Sequence, residues 1–194
     1  MLGLPFAPPY LGLSEFERRK VMTGINYASA ACGILPLSGS KAKECLSMDK
    51  QIKYFNLTIA KDLPNVISNS EQLNLYLSKS IFLVSVGVND YSLNYLINLN
   101  GLWTGYTPEA FGDFLLDEFV IRMQQLYDLG ARTFVVNAAF PLGSTPFSVV
   151  NVTRSKEVNQ QINYFTSRVP ERLQELQSQL PKFSFTGVGK FQDF

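Results

Sequence analysis

The stretch SIFLVSVGVND, residues 80 to 90, decides how the chain folds. Its first part, Ser80 to Val86, is an unbroken apolar run of strand length, which is typical of a strand covered on both faces. Gly87 then permits a sharp turn, and Asn89 follows with a side-chain N–H that can act as an oxyanion donor in a crevice. The same residues also suit an ordinary turn, because Gly, Asn and Asp are common in turns.

Strands and helices alternate on both sides of this stretch. Thr107 and Pro108 predict a capped helix start, and Gly130 predicts the end of that helix. The other predicted strands are Val21 to Ala28, Thr133 to Asn137 and Phe183 to Val188. The other predicted helices are Asp49 to Ala60 and Lys156 to Leu180. Pro170 is expected to kink or split the second of these helices. This order predicts one α/β domain over residues 1–194 with a mostly parallel sheet.

Composition excludes several classes of protein. The chain has 194 residues, 46% hydrophobic and 17% charged, with a net charge of +1, so neither disorder nor nucleic-acid binding is indicated. The longest apolar stretch, Ser80 to Val88, is too short for a transmembrane helix. Met1 to Pro5 has neither a basic nor a long apolar region, so we see no signal peptide.

Histidine is absent from the chain. Histidine is the usual base that activates a serine or cysteine nucleophile near neutral pH. The chain therefore cannot be a Ser-His-Asp hydrolase by itself. With only Cys32 and Cys45, zinc sites of the Cys/His type are excluded too, and we expect no cofactor.

A second loop of interest ends at Gly33, after the predicted strand Val21 to Ala28. Functional groups of parallel sheets lie in loops after the carboxyl ends of the strands, so the Gly33 N–H is a candidate partner for Asn89. The alternative is tight packing of the small residues 28 to 33. Asp90 is interpreted as a structural residue that hydrogen-bonds its own turn.

Five segments, taken in order, resemble the plant GDSL-type esterase/lipase family. They are LPFAPPYL at 4–11, GINYASAACGIL at 24–35, SVGVNDY at 85–91, YDLGARTFVV at 127–136 and PLGSTP at 141–146. The family often has cysteine where Ser144 stands. The resemblance covers about residues 3 to 190. It implies a flavodoxin-like SGNH-hydrolase fold, a three-layer sandwich, with the first strand and the C-terminal end missing from this chain.

In this family an N-terminal serine attacks an ester carbonyl, and a C-terminal DxxH block supplies the acid and the histidine. Gly33 and Asn89 match two of the family's oxyanion donors. Nothing here matches the serine block or the histidine block, so we expect a truncated chain or a partial gene model.

The resemblance implies a hydrolase of carboxylic ester bonds in lipids or acyl esters, with a small-molecule ester substrate. The alternative is a non-catalytic pseudoenzyme that binds acyl esters or a protein partner. The sequence leaves open whether this chain is an enzyme, which ester the family site takes, and the oligomeric state.

The family is mostly exported, which favours an extracellular location for the intact protein. An even number of cysteines, two, in a mostly exported family favours a disulfide between Cys32 and Cys45. The alternative is two free thiols in a cytosolic chain. Asn56 and Asn151 each begin an Asn-X-Thr glycosylation sequon.

The missing histidine and serine block generate the first prediction. The purified 194-residue chain is expected not to hydrolyse p-nitrophenyl acetate above the uncatalysed background. The measurement is the release of p-nitrophenolate with and without an organophosphate probe. Serine-dependent turnover that the probe abolishes would refute this expectation.

Overall fold

The centre of the fold is a parallel sheet. The structure is a computed structural model and describes residues 5–39, 45–96, 101–138, 141–145 and 152–187. Three strands, β1 (Ile81–Ser85), β2 (Thr133–Asn137) and β3 (Ser184–Thr186), lie in the order β1-β2-β3, and both neighbouring pairs are parallel. The predicted α/β class with a parallel sheet is confirmed.

Six α-helices lie in the described part of the chain. They are α1 (Glu15–Arg18), α2 (Met48–Leu57), α3 (Ser70–Lys79), α4 (Val88–Asp90), α5 (Pro108–Asp128) and α6 (Val152–Gln179). Thr107 caps α5 as predicted, since its hydroxyl accepts the Ala110 N–H at 3.2 Å. Pro170 lies inside α6 without splitting it. No described helix combines the length and apolar character needed to cross a membrane.

One face of the sheet packs against helices. A row of aromatic rings runs from α2 across β1 and β2 to Phe183, the residue before β3, with centroids 5.3 Å apart for Phe55 and Phe82, 5.8 Å for Phe82 and Phe134, and 4.9 Å for Phe134 and Phe183. Helices α5 and α6 pack together through apolar side chains that are buried: Phe111, Leu115, Phe119, Met123 and Leu126 on α5, and Val158, Ile162, Phe165, Val169, Leu173 and Leu176 on α6.

The opposite face of β1 is open, which corrects the expected cover on both faces. Ile81 is 71% exposed and Leu83 is 68% exposed, whereas Val84 is buried. Alternate side chains of a strand point to opposite faces, and only the face of Phe82 and Val84 meets the helices. An unbroken apolar run shows that both faces suit burial, but it does not show that another element covers each of them.

The strand predicted from Val21 to Ala28 is wrong. This segment makes a single bridge, between Pro9 and Asn26, and Gly24 interrupts the extended backbone with a φ of +108°. The segment is anchored instead by Tyr27, whose hydroxyl donates to the Thr58 hydroxyl at 2.9 Å. Burial raises the pKa of Tyr27 to about 12.

Candidate active site

The carboxyl end of β1 leads directly into the turn that carries Asn89. Gly87 has a φ of +106°, a backbone conformation that residues with side chains rarely adopt. The chain then enters the single helical turn α4, which places the half-buried Asn89 and the buried Asp90 side by side. The predicted sharp turn after the strand is present.

The second loop, residues 28 to 38, lies against this turn. Its residues Cys32, Gly33, Ile34 and Leu35 are buried. The structure joins Cys32 to Cys45 by a disulfide with a Cα–Cα distance of 5.7 Å. The Met48 N–H donates to the Gly33 carbonyl at 3.1 Å, so the loop is also tied to the start of α2.

The carboxylate of Asp90 joins the two loops. Its Oδ2 accepts the Ile34 N–H at 2.9 Å, and its Oδ1 accepts the Leu35 N–H at 2.9 Å and the Ser38 hydroxyl at 2.6 Å. The sequence suggested that Asp90 hydrogen-bonds its own turn. Its own backbone N–H does help to lower the pKa of its carboxyl, but the three partners above lie more than fifty residues away in the chain. Asp90 is therefore a link between loops.

Two opposing effects set the protonation of Asp90. Desolvation by burial raises its pKa above the usual value, and this effect is the largest. The donors Ser38, Leu35 and Ile34 act in the other direction, because hydrogen bonds to a carboxylate favour its charged form. The net direction is upward.

Glycine at position 33 has a steric reason. A Cβ at this position would lie 2.5 Å from the Asp90 carboxyl carbon, far inside van der Waals contact. The backbone of Gly33 itself is not in the left-handed region. Glycine therefore stands here because the Asp90 carboxylate occupies the space of a side chain.

The side chain of Asn89 meets the same loop. Its Nδ2 donates to the Cys32 carbonyl oxygen at 2.7 Å, one residue before Gly33. An amide nitrogen carries two hydrogens, so this bond engages one N–H and orients the other. The structure thus brings Asn89 and the Gly33 segment together, with Asn89 half-buried and Gly33 buried.

Sequence reasoning missed two buried polar residues behind this contact. The Asn94 Nδ2 donates to the Ser38 Oγ at 3.2 Å, and the Asn94 Oδ1 accepts the Trp103 indole N–H at 2.8 Å. Asn94 lies four residues after Asp90 on continuous helical backbone, a spacing that puts both on one face. From this spacing the sequence could have predicted that Asn94 lies beside Asp90. Ser38 lies in an irregular loop, so no sequence pattern indicated its position.

The loop after β2 is held by α6. The Asn159 Oδ1 accepts the Gly143 N–H at 2.7 Å, and its Nδ2 donates to the Ser144 hydroxyl at 3.1 Å. A Cβ at Gly143 would overlap the backbone carbonyl oxygen of Ser155 most closely, and would also lie 2.7 Å from the Asn159 Oδ1. The loop after β2, at the carboxyl ends of the strands, is therefore also fixed by a contact between an asparagine and a glycine.

Among the described residues at this contact, the Ser38 hydroxyl has no histidine to activate it as a nucleophile, and no metal-binding group is formed. The chain has no histidine, and both of its cysteines are in the disulfide. The described part of the chain contains no group of His, Cys, Asp and Glu side chains suited to a metal ion. What the contact offers is N–H donors and a buried carboxylate.

Two cavities lie elsewhere, away from these loops. One of about 720 Å³ is lined by Ser78, Gly130, Arg132 and Lys182, which precede the strands. The other, of about 430 Å³, lies between α2 and α5 beside Asp49 and Gln125. The first is thus at the amino edge of the sheet, opposite the edge that carries Asn89.

Of the two glycosylation sequons, the structure describes the asparagine of only the first. Asn56 is exposed on α2, and the hydroxyl of Thr58, the third residue of its sequon, is buried against Tyr54 and Tyr27. Asn151 lies outside the described residues.

Comparison with known proteins identifies relatives along the whole chain. Residues 4–193 match the GDSL-like Lipase/Acylhydrolase family. Three proteins of Arabidopsis thaliana are similar to the chain. GDSL esterase/lipase At2g04020 is 41% identical over 74% of this chain and 42% of its own length, and GDSL esterase/lipase 7 is 33% identical over 100% of this chain and 55% of its own length. GDSL esterase/lipase At1g71691 is 32% identical over 95% of this chain and 48% of its own length. The chain spans about half the length of the curated relatives it matches.

The close approach of Gly33 and Asp90 generates the second prediction. Gly33→Ala is expected to destabilise the fold by about 1–3 kcal/mol, because the new methyl group overlaps the carboxylate. The measurement is urea unfolding, repeated in the background of Asp90→Ala. In that background the cost of Gly33→Ala should fall by about 1 kcal/mol or more, since the overlap is gone. An equal cost in both backgrounds would show that Asp90 is not the cause.

Proposed function

Because the chain belongs to the GDSL-like lipase/acylhydrolase family, we propose that it supplies two oxyanion donors of a carboxylic ester hydrolase, the Gly33 N–H and the Asn89 side-chain amide. The observation that supports this most is the hydrogen bond from the Asn89 Nδ2 to the Cys32 carbonyl, since it places the amide next to the trans peptide whose other polar group is the Gly33 N–H. Residues 1–194 are proposed to form part of one catalytic domain.

The two donors act on charge that develops during the reaction. When a nucleophile attacks an ester carbonyl, the carbonyl oxygen becomes an oxyanion, and N–H groups already aimed at it stabilise it without reorganisation. Neither donor accepts or releases a proton at neutral pH. The nucleophile and the base must come from outside residues 1–194, since the chain has no histidine and no matching serine block.

The substrate class is proposed from the family. Relatives carry the names esterase and lipase, which favours a small-molecule acyl ester or a lipid as the substrate and a role in lipid degradation. Extracellular location is proposed on the same basis. A disulfide within a buried loop and an exposed Asn56 sequon are consistent with an oxidising, secretory route.

A chimera tests the catalytic proposal. The segments that flank the matched region in GDSL esterase/lipase 7 would be joined to this chain, because that relative matches all of it. The chimera should hydrolyse p-nitrophenyl acetate and be inhibited by an organophosphate. Asn89→Ala in the chimera should lower kcat by about 100- to 1,000-fold, the usual cost of one oxyanion donor, with little change in KM.

Asn74→Ala is the matched control for the chimera, since Asn74 is exposed on α3 beside the cavity at the amino edge of the sheet. Its kcat should stay near that of the unmodified chimera. A kcat for Asn89→Ala within threefold of the parent would exclude the oxyanion role. An inactive parent chimera that still folds would favour the pseudoenzyme.

Glycosylation at Asn56 tests the secretory proposal. The chain would be expressed behind an export signal in plant cells, and its mass measured before and after treatment with peptide N-glycosidase. Asn56→Gln should remove one glycan, whereas Asn65→Gln, at an exposed asparagine without a sequon, should remove none. A secreted chain with the same enzyme-sensitive mass in the presence and absence of Asn56 would contradict modification at this site.

A further inference from the structure

The carboxylate of Asp90 binds three donors that all belong to one short segment, residues 33 to 38. Two of them are the consecutive backbone N–H groups of Ile34 and Leu35, and the third is the Ser38 hydroxyl. All three residues and Asp90 are buried. A single side chain therefore fixes both the direction of the backbone just after Gly33 and the return of the loop at Ser38.

Asp90 also follows Asn89 directly in the chain. Asn89 holds the Cys32 carbonyl on one side of Gly33, and Asp90 holds the Ile34 N–H on the other side. Gly33 is thus bracketed by bonds to two adjacent residues of α4. Any movement of the loop relative to α4 must break one of these bonds.

A further support lies behind the carboxylate. Ser38 donates to Asp90 and accepts from Asn94, and Asn94 in turn accepts from the indole of Trp103. Hydrogen bonds in such a series polarise one another in a buried environment. The series holds the hydroxyl of Ser38 in the orientation that donates to Asp90.

We propose that Asp90 is a positioning residue, which locks the segment 33–38 onto α4 and so fixes the position of the Gly33 N–H relative to the Asn89 amide. This inference rests on the proposed oxyanion role of Gly33 and Asn89. Asp90 does not touch the reacting atoms in this scheme. It acts through the backbone on either side of Gly33.

Asparagine is an informative replacement because it keeps the size of aspartate. An amide has one oxygen acceptor, while its nitrogen can only donate. Whichever way the amide is turned, its NH₂ group faces the N–H of either Ile34 or Leu35. Asp90→Asn therefore must leave one backbone donor without its acceptor, whereas Ser38→Ala leaves both backbone bonds in place.

The first arm of the test is hydrogen–deuterium exchange on the 194-residue chain. In Asp90→Asn, exchange of the Ile34 and Leu35 amides should become about tenfold faster or more, because local opening becomes easier. Ser38→Ala should give a smaller increase in the same peptide. Asp62→Asn is the matched control: Asp62 is equally buried, pairs with Arg18 at 3.4 Å and should leave residues 33–38 unchanged.

The second arm is kinetic and uses the chimera with the flanking segments of GDSL esterase/lipase 7. Asp90→Asn should lower kcat by about 100-fold, since a shift of 1 Å in a positioned group can cost that much. KM should change little. Asp62→Asn should keep the parent kcat, and Ser38→Ala should fall between the two.

The outcomes separate this inference from the proposed function. Faster exchange confined to residues 33–38 together with a loss of kcat supports the positioning role. Unchanged exchange at Ile34 and Leu35, uniformly faster exchange over the whole sheet, or an unchanged kcat overturns it. If the parent chimera is inactive, the proposed function fails, while the exchange data still decide whether Asp90 locks the loop.

Discussion

The candidate site depends on one buried carboxylate, that of Asp90. It satisfies two backbone N–H groups and one hydroxyl in a place where no other described acceptor reaches them. A buried donor without a partner costs about 1–3 kcal/mol, so replacing this side chain affects several groups at once. The same carboxylate fills the space beside Gly33. The aspartate at position 90 and the glycine at position 33 are therefore two consequences of a single packing constraint.

This constraint connects the sheet to the loop without requiring a strand between them. β1 ends at Ser85, Gly87 turns the chain, and α4 presents Asp90 to the loop of residues 28 to 38. Among the described residues, β1 is an edge strand with one apolar face exposed. The geometry of Gly33 and Asn89 is thus maintained by a disulfide, by hydrogen bonds to α2 and α4, and by the burial of Ile34 and Leu35 in the hydrophobic core.

The sequence predicted the periodic parts of this fold. Helix α5, with its Thr107 cap, and strands β1 and β2 could be predicted because their signals are local: a capping residue before the helix, and apolar runs of strand length. The segment Val21 to Ala28 was misjudged because strand propensity shows only that a residue suits a sheet, and a strand also needs a partner along its length. The link from Asp90 to Ile34 and Leu35 was not predicted, because an aspartate that follows Gly and Asn is equally suited to bonding within its own turn. Contacts between irregular loops leave no period to read.

The site also shows why donor geometry and catalytic activity can be separated. Oxyanion donors are effective when they are held in place before charge develops, and the two proposed donors are held by contacts between residues of this chain. None of these contacts involves a histidine or a free thiol. A chain can therefore keep the arrangement of Gly33 and Asn89 under selection for folding alone, through the bulk of Asp90 and the bond from Asn89 to Cys32. The presence of these two proposed donors is therefore weak support for catalytic turnover. A nucleophile and a base placed against them are what distinguish an esterase from a protein that has only this arrangement of residues.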